Sequence, residues 1–136
     1  MHEPYTQLHV HFVWATWDRL PIIRAEWKAA ICACAQSECE KLKVLVIAQY
    51  VMPEHMHLLV QLPTTVDIAT VMKQVKGSSS HLITHQIAPR DWFKWQGSYG
   101  AFAVSKSEVP QKKLYIQNQE LHHQNRDFQQ EWDTLD

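Results

Sequence analysis

The stretch KVLVIAQYVMPEHMHLLVQL, residues 43–62, constrains the fold more than any other part of the chain. Residues 43–52 are rich in β-branched and apolar side chains and predict a buried strand. Pro53-Glu54 breaks the run, and residues 55–62 form a second strand. So short a break allows only a tight turn, which makes the pair an antiparallel hairpin.

The other elements arrange themselves around that hairpin. QLHVHFVWATW, residues 7–17, alternates around aromatic and β-branched residues and predicts a first strand. A helix is expected over 24–42. In residues 64–77, Ile68, Val71, Met72 and Val75 fall at i, i+3, i+4 and i+7, which predicts an amphipathic helix followed by the polar run Ser78-Ser79-Ser80. Residues 98–105 predict a fourth strand and 107–124 a last helix. Ser107 is the expected N-cap of that helix, because it leaves Pro110 in the first turn, where a missing N–H costs nothing. The tail 128–136 is expected to pack back on the body through its aromatic residues. The order β-α-β-β-α-β-α fits an α+β, ferredoxin-like split βαβ arrangement: an antiparallel sheet with helices on one face, in a single domain over residues 1–136.

Composition narrows the class. Apolar residues make up 46% and charged residues 20% of the 136-residue chain, as in ordinary globular proteins. No apolar run approaches the roughly 18 residues that a membrane span requires. The N-terminal MHEPYTQ lacks the basic, apolar and cleavable pattern of a signal peptide, so a cytoplasmic location is expected. The three cysteines, Cys32, Cys34 and Cys39, cluster on one predicted helix. An odd, local set is a poor disulfide framework and lacks a fourth ligand for zinc, so they are expected as small hydrophobic residues.

Net charge is −1, yet the segment from Lys73 to Lys113 carries seven basic residues against Asp91 and Glu108, a local net of +5. A basic middle in an acidic chain is either a polyanion-binding face or a surface that averages out on folding.

The chemistry candidates are histidines. His9-Val10-His11 and His55-Met56-His57 each place two imidazoles on one strand face. Such a pair supplies two adjacent ligands and no more, so each reads equally as a structural pair until a third group is found. The last helix offers one. Tyr115 and Gln119, four apart, stack on one face of it and lie on neither of its apolar lines, Val109/Ile116 and Leu114/Leu121. Gln119 brings a hard carbonyl oxygen suited to Mg²⁺ or Mn²⁺. Tyr115 is either a core-margin residue with a wet hydroxyl or a phenol awaiting activation.

PEHMHLLV, then WQGSYGAFAVS, then YIQNQELHH, in that order and spacing, resemble the HUH-type single-tyrosine transposases: the small transposases of the IS-two-hundred kind of insertion sequence and the REP-associated tyrosine transposases. The resemblance spans nearly the whole chain and implies an HUH endonuclease fold with an extra C-terminal helix carrying the tyrosine. It implies that His55 and His57 bind a divalent ion, Mg²⁺ or Mn²⁺, that Gln119 completes that site, and that Tyr115 is the nucleophile. His9 and His11 match no ligand of the family and remain strand residues. The implied reaction is cleavage and rejoining of single-stranded DNA at hairpin-bearing element ends through a 5′-phosphotyrosine. The implied partners are DNA hairpins and a second copy of the chain, in a bacterial or archaeal cell, with no membrane. On this reading Lys73, Lys76, Lys94, Lys106, Lys112 and Lys113 contact phosphates. Trp92, Phe93 or Trp95 stack on bases or else pack in the core. A non-cleaving module that binds nucleic-acid hairpins and a phosphodiesterase using water are the competing classes; both predict that Tyr115→Phe leaves activity intact.

Overall fold

A computed structural model describes residues 4–119. The predicted hairpin is present as β2 (Leu45–Val51) and β3 (His55–Leu62), and β1 (Leu8–Ala15) and β4 (Gly100–Val104) complete one antiparallel sheet of order β2-β3-β1-β4. This is the split βαβ topology: β3 lies between β1 and β2, which the helix α1 (Lys28–Lys41) connects. Two features differ from expectation: helices cover both faces of the sheet rather than one, and β2 is not fully buried. β2 is an edge strand with Leu45 exposed rather than a fully buried one. β3, internal to the sheet, is the strand buried along nearly its whole length.

Both sheet faces are covered. Phe12 and Trp14 of β1 and Met56, Leu58, Val60 and Leu62 of β3 face α1 and the second helix, α2 (Ile68–Leu82), and make the larger core with Ile31, Ala35, Cys39, Val71, Met72 and Val75. On the opposite face Val13, Ala48, Leu59 and Val104 meet Tyr115 and Ile116 of α3 (Val109–Gln117). So α1 and α2 share one face, and α3 takes the other. A shift in the β2–β3 register between Val46 and Ala48 lets Ile47 and Ala48 both contribute to the α3 side, as a bulge does.

Helix boundaries moved for local reasons. Asp67 caps α2 by accepting the Thr70 N–H at 2.7 Å, which holds its carboxyl below the usual carboxylate range. The helix continues through Ser78-Ser79-Ser80 instead of stopping there. Ser79 is buried, returns its hydroxyl proton to the Val75 carbonyl at 2.7 Å and accepts the Trp95 indole N–H at 2.9 Å. A serine satisfied in both directions extends the apolar stripe by one more position. At its C-terminus α1 ends with Lys43 at φ 60°, Lys43 N–H on Glu40 O and Val44 N–H on Cys39 O, a reversal that turns the chain into β2.

The expected Ser107 cap is corrected. Ser105 starts a short 3₁₀ turn, Lys106–Glu108, and its hydroxyl donates to the Glu108 carboxylate at 2.8 Å. Pro110 then stands in the first turn of α3, so the added 3₁₀ turn removes the objection that had favoured Ser107. Leu114, expected on an apolar line, is 60% exposed. Leu121, the end of the predicted helix and the tail 128–136 lie outside the described residues.

Candidate active site

The site forms on the α3 face because of strand register. β1 and β3 pair so that Val13 faces His57 and Ala15 faces His55, with His11 one step along, opposite Leu59. Side chains two apart share a face, so His11, His55 and His57 all point away from the larger core and towards the α3 side. All three are fully buried.

The Nε2 atoms of His55 and His57 lie 3.1 Å apart. Their ring centres are 4.9 Å apart and the planes nearly perpendicular, at 76°. That is closer than an in-line N–H···N contact of this length allows, so the two nitrogens do not aim straight at each other. Donors held at about 2.1 Å in adjacent positions of an octahedral ion lie roughly 3.0 Å apart, the bite this pair offers. The other nitrogens have partners: His55 Nδ1 meets Glu54 Oε1 at 2.9 Å and His57 Nδ1 meets His11 Nε2 at 2.9 Å. A proton on each Nδ1 would leave both Nε2 lone pairs available to a metal.

Glu54 is itself fixed. Its backbone carbonyl accepts the Thr16 N–H at 2.9 Å, which closes the end of β1 against the start of β3, while the Thr16 hydroxyl, 3.2 Å from the same carbonyl, donates to the Leu20 carbonyl at 2.6 Å. The chain beyond Thr16 turns through Asp18 and Arg19, both at positive φ (54° and 50°), a costly conformation for residues with a Cβ. Asp18 N–H is held by Gln96 Oε1 at 3.0 Å.

From α3, Tyr115 stands edge-on to His57, ring centres 6.2 Å apart at 81°. The helix expected to run on to 124 ends at Gln117, with Asn118 out of helical geometry. Gln119 beyond it is fully buried; its Nε2 donates to the Tyr115 carbonyl at 3.2 Å, and its Oε1 has no hydrogen-bond partner among the described residues. An unsatisfied buried amide oxygen is costly unless something binds it. A hard cation suits that oxygen, and two neutral imidazoles with it make a donor set that fits Mg²⁺ or Mn²⁺. Among the described residues no group of three His, Cys, Asp or Glu could hold a metal.

The sequence of residues 4–119 matches the family model described as Transposase IS200 like. The chain belongs to that family. Among solved structures, the fold is similar to a protein of Deinococcus radiodurans R1 named as a candidate transposase, at TM-score 0.69 and 24% identity over 88% of this chain and 95% of that one. It is also similar to a REP-associated tyrosine transposase bound to a REP hairpin, at TM-score 0.67 and 16% identity over 90% of this chain and 73% of that one. A comparison with curated proteins gives no match. The antiparallel sheet with helices on both faces is therefore an IS200-like transposase fold.

The expected DNA contacts divide by exposure. Lys73, Lys94, Lys106 and Lys113 are exposed and Lys112 is half-buried. Lys76 is also half-buried; its ammonium donates to the carbonyls of Gln96 at 2.7 Å and Ser98 at 3.2 Å, and burial lowers its pKa. Trp92 is 58% exposed, whereas Phe93 and Trp95 are buried in the larger core, the alternative the sequence left open for them. Three features escaped the sequence: His11 behind His57, Glu54 behind His55, and the exposed Trp17, whose ring lies 4.2 Å from the Lys94 ammonium. The first depends on β1–β3 register, which the sequence does not state. The adjacency of Glu54 and His55 was the available hint.

Proposed function

We propose that this transposase, a single HUH domain over residues 1–136, cleaves and rejoins single-stranded DNA at hairpin-bearing element ends through a 5′-phosphotyrosine on Tyr115. The observation that carries the reading is the buried Oε1 of Gln119, unpartnered among the described residues, two residues past the end of α3, whose Tyr115 packs against His57 of the His55/His57 pair. His55 and His57 would hold Mg²⁺ or Mn²⁺ through Nε2, and Gln119 through Oε1. An ion held there would supply Lewis-acid polarisation of the scissile phosphate and offset charge on its oxygens.

Tyr115 supplies the nucleophilic oxygen. Its bond to phosphorus forms as the bond to the 3′ oxygen breaks, and the proton lost from the phenol is matched by one gained at the leaving 3′-OH. The linkage conserves the phosphodiester energy, so a different 3′-OH can attack and restore Tyr115 without water or a high-energy cofactor. Packing of the phenol against the sheet limits the poses it can take, which favours a defined attack geometry.

Lys73, Lys94, Lys106, Lys112 and Lys113 contact phosphates of the strand, and Trp92 stacks on a base. The REP hairpin on the related tyrosine transposase supports a hairpin partner here. The enzyme works as a homodimer in the cytoplasm; no helix among the described residues is long and apolar enough to cross a membrane.

The test mixes the purified chain, Mg²⁺ or Mn²⁺ and labelled single-stranded hairpins from the gene's own flanks. A protein–DNA adduct that survives boiling in detergent and disappears with chelator is expected. Tight hairpin binding without any adduct would instead identify a non-cleaving module.

A further inference from the structure

The His9-x-His11 pair has no part in the reaction as proposed, yet His11 is fully buried against the metal-site histidines. Its Nε2 lies 2.9 Å from His57 Nδ1. The ring centres are 5.1 Å apart and the planes within 24° of parallel. That separation is too long for face-to-face stacking. It is what two nearly coplanar imidazoles give when one nitrogen points in line at the other, the geometry of an N–H···N hydrogen bond. The contact differs from that between His55 and His57, whose nitrogens are not in line. Phe102, opposite His11 on β4, packs against its ring at 6.4 Å and helps hold it in that plane.

A neutral imidazole has one proton for two nitrogens. His57 presents Nε2 to His55 and Nδ1 to His11, so the site of its proton decides whether Nε2 is a donor or a ligand. We infer that His11 is a positioning residue for the metal site: its Nε2 accepts the His57 Nδ1–H, and this holds His57 in the tautomer whose Nε2 lone pair faces the ion. His11 then carries its own proton on Nδ1, a buried atom with no hydrogen-bond partner among the described residues, a cost that an ion held at His57 Nε2 would offset. It cannot join His57 as a ligand through this contact, because it meets the nitrogen on the far side of the ring. His55 has the same support from the Glu54 carboxylate. Thus one histidine of the pair is oriented by an anion and the other by a neutral ring. Without an acceptor at residue 11, the ligand His57 would lose the hydrogen bond that sets its ring orientation and its Nδ1–H tautomer.

The inference rests on the metal reading above, and the test separates the two. Mn²⁺ binding to the purified full chain is followed by the electron paramagnetic resonance of the free ion. The wild type is expected to bind and His55→Ala to fail. His11→Phe is expected to weaken binding by about 10–100-fold, and His11→Gln, whose amide oxygen can accept the same proton, to recover most of that loss. If the wild type binds no Mn²⁺, the metal reading falls and this inference with it. If His11→Phe binds like the wild type while His55→Ala does not, only the role of His11 is overturned. Should His11→Phe not fold, imidazole ¹⁵N spectra of the Mg²⁺-loaded wild type decide. A proton on His57 Nδ1 and a bare Nε2 on His11 are expected; a proton on His11 Nε2 overturns the assignment.

Discussion

The phenol ring of Tyr115 and the imidazole of His57 meet edge to face, 6.2 Å between centres, across the seam between α3 and the sheet. The contact is between rings, so Tyr115→Phe keeps it. Stability measured by urea unfolding should fall by no more than about 1.5 kcal/mol, the net worth of one hydrogen bond. Strand cleavage by the same variant should fall by at least roughly three orders of magnitude, since no other atom replaces the nucleophile. Intact hydrolysis in Tyr115→Phe would favour a phosphodiesterase using water.

An ion bound only by the folded chain must raise its stability. At free Mn²⁺ about 100 times its dissociation constant, the gain is roughly 2.7 kcal/mol. Thermal unfolding should therefore shift upward with Mn²⁺ in the wild type and stay put in His55→Ala. In Gln119→Ala the response should be weakened, because the buried carbonyl oxygen is gone. Chelator should reverse the shift and abolish cleavage while leaving hairpin binding largely intact.

The tryptophans separate by burial. Trp92→Ala should leave unfolding unchanged and weaken binding to unpaired DNA by about 1–3 kcal/mol, the range for one stacked base. Trp95→Ala should instead destabilise by about 3–5 kcal/mol, because a buried indole leaves a cavity and Ser79 loses its donor. Replacing Lys113 with Ala should lower the slope of log affinity against log salt by about one. An unchanged slope would remove Lys113 from the phosphate contacts.

Cys39 gives the chain an alkaline limit. Burial, with the Glu38 carboxylate beside it, pushes its thiol up to about 11. The unfolded thiol ionises first, near its ordinary value of about 8.5. Between those values the unfolded state has released a proton that the folded state keeps, so stability is full below the window and falls as pH rises through it. Unfolding free energy followed from pH 8 to 11 should decline less steeply in Cys39→Ala than in the wild type. At neutral pH, Cys39 should resist alkylation until the chain unfolds.

Much of the fold was legible because its signals are local. The β2–β3 hairpin follows from two apolar runs and Pro53-Glu54, and α2 from the spacing of Val71, Met72 and Val75. What was not legible depends on partners distant in sequence. Ser79 is buried inside a helix with its hydroxyl satisfied by the Val75 carbonyl and by the distant Trp95 indole N–H. Ser105 rather than Ser107 starts the last helical segment, since Glu108 is placed to receive its hydroxyl. α3 crosses to the other face of the sheet, where register rather than periodicity aligns its residues with β1 and β3. The same holds for the site. The i, i+2 spacing of His55 and His57 was readable, whereas the position of His11 behind them required knowing that Val13 pairs with His57.

The central claim is that Tyr115 carries the cleaved strand. The most direct measurement digests the detergent-stable adduct with nuclease and trypsin and weighs the peptide covering 114–126, between Lys113 and Arg126. The account predicts a residual 5′-phosphonucleotide on Tyr115 in that peptide, formed only with Mg²⁺ or Mn²⁺. An unmodified 114–126 peptide alongside a nucleotide on any other residue would contradict it.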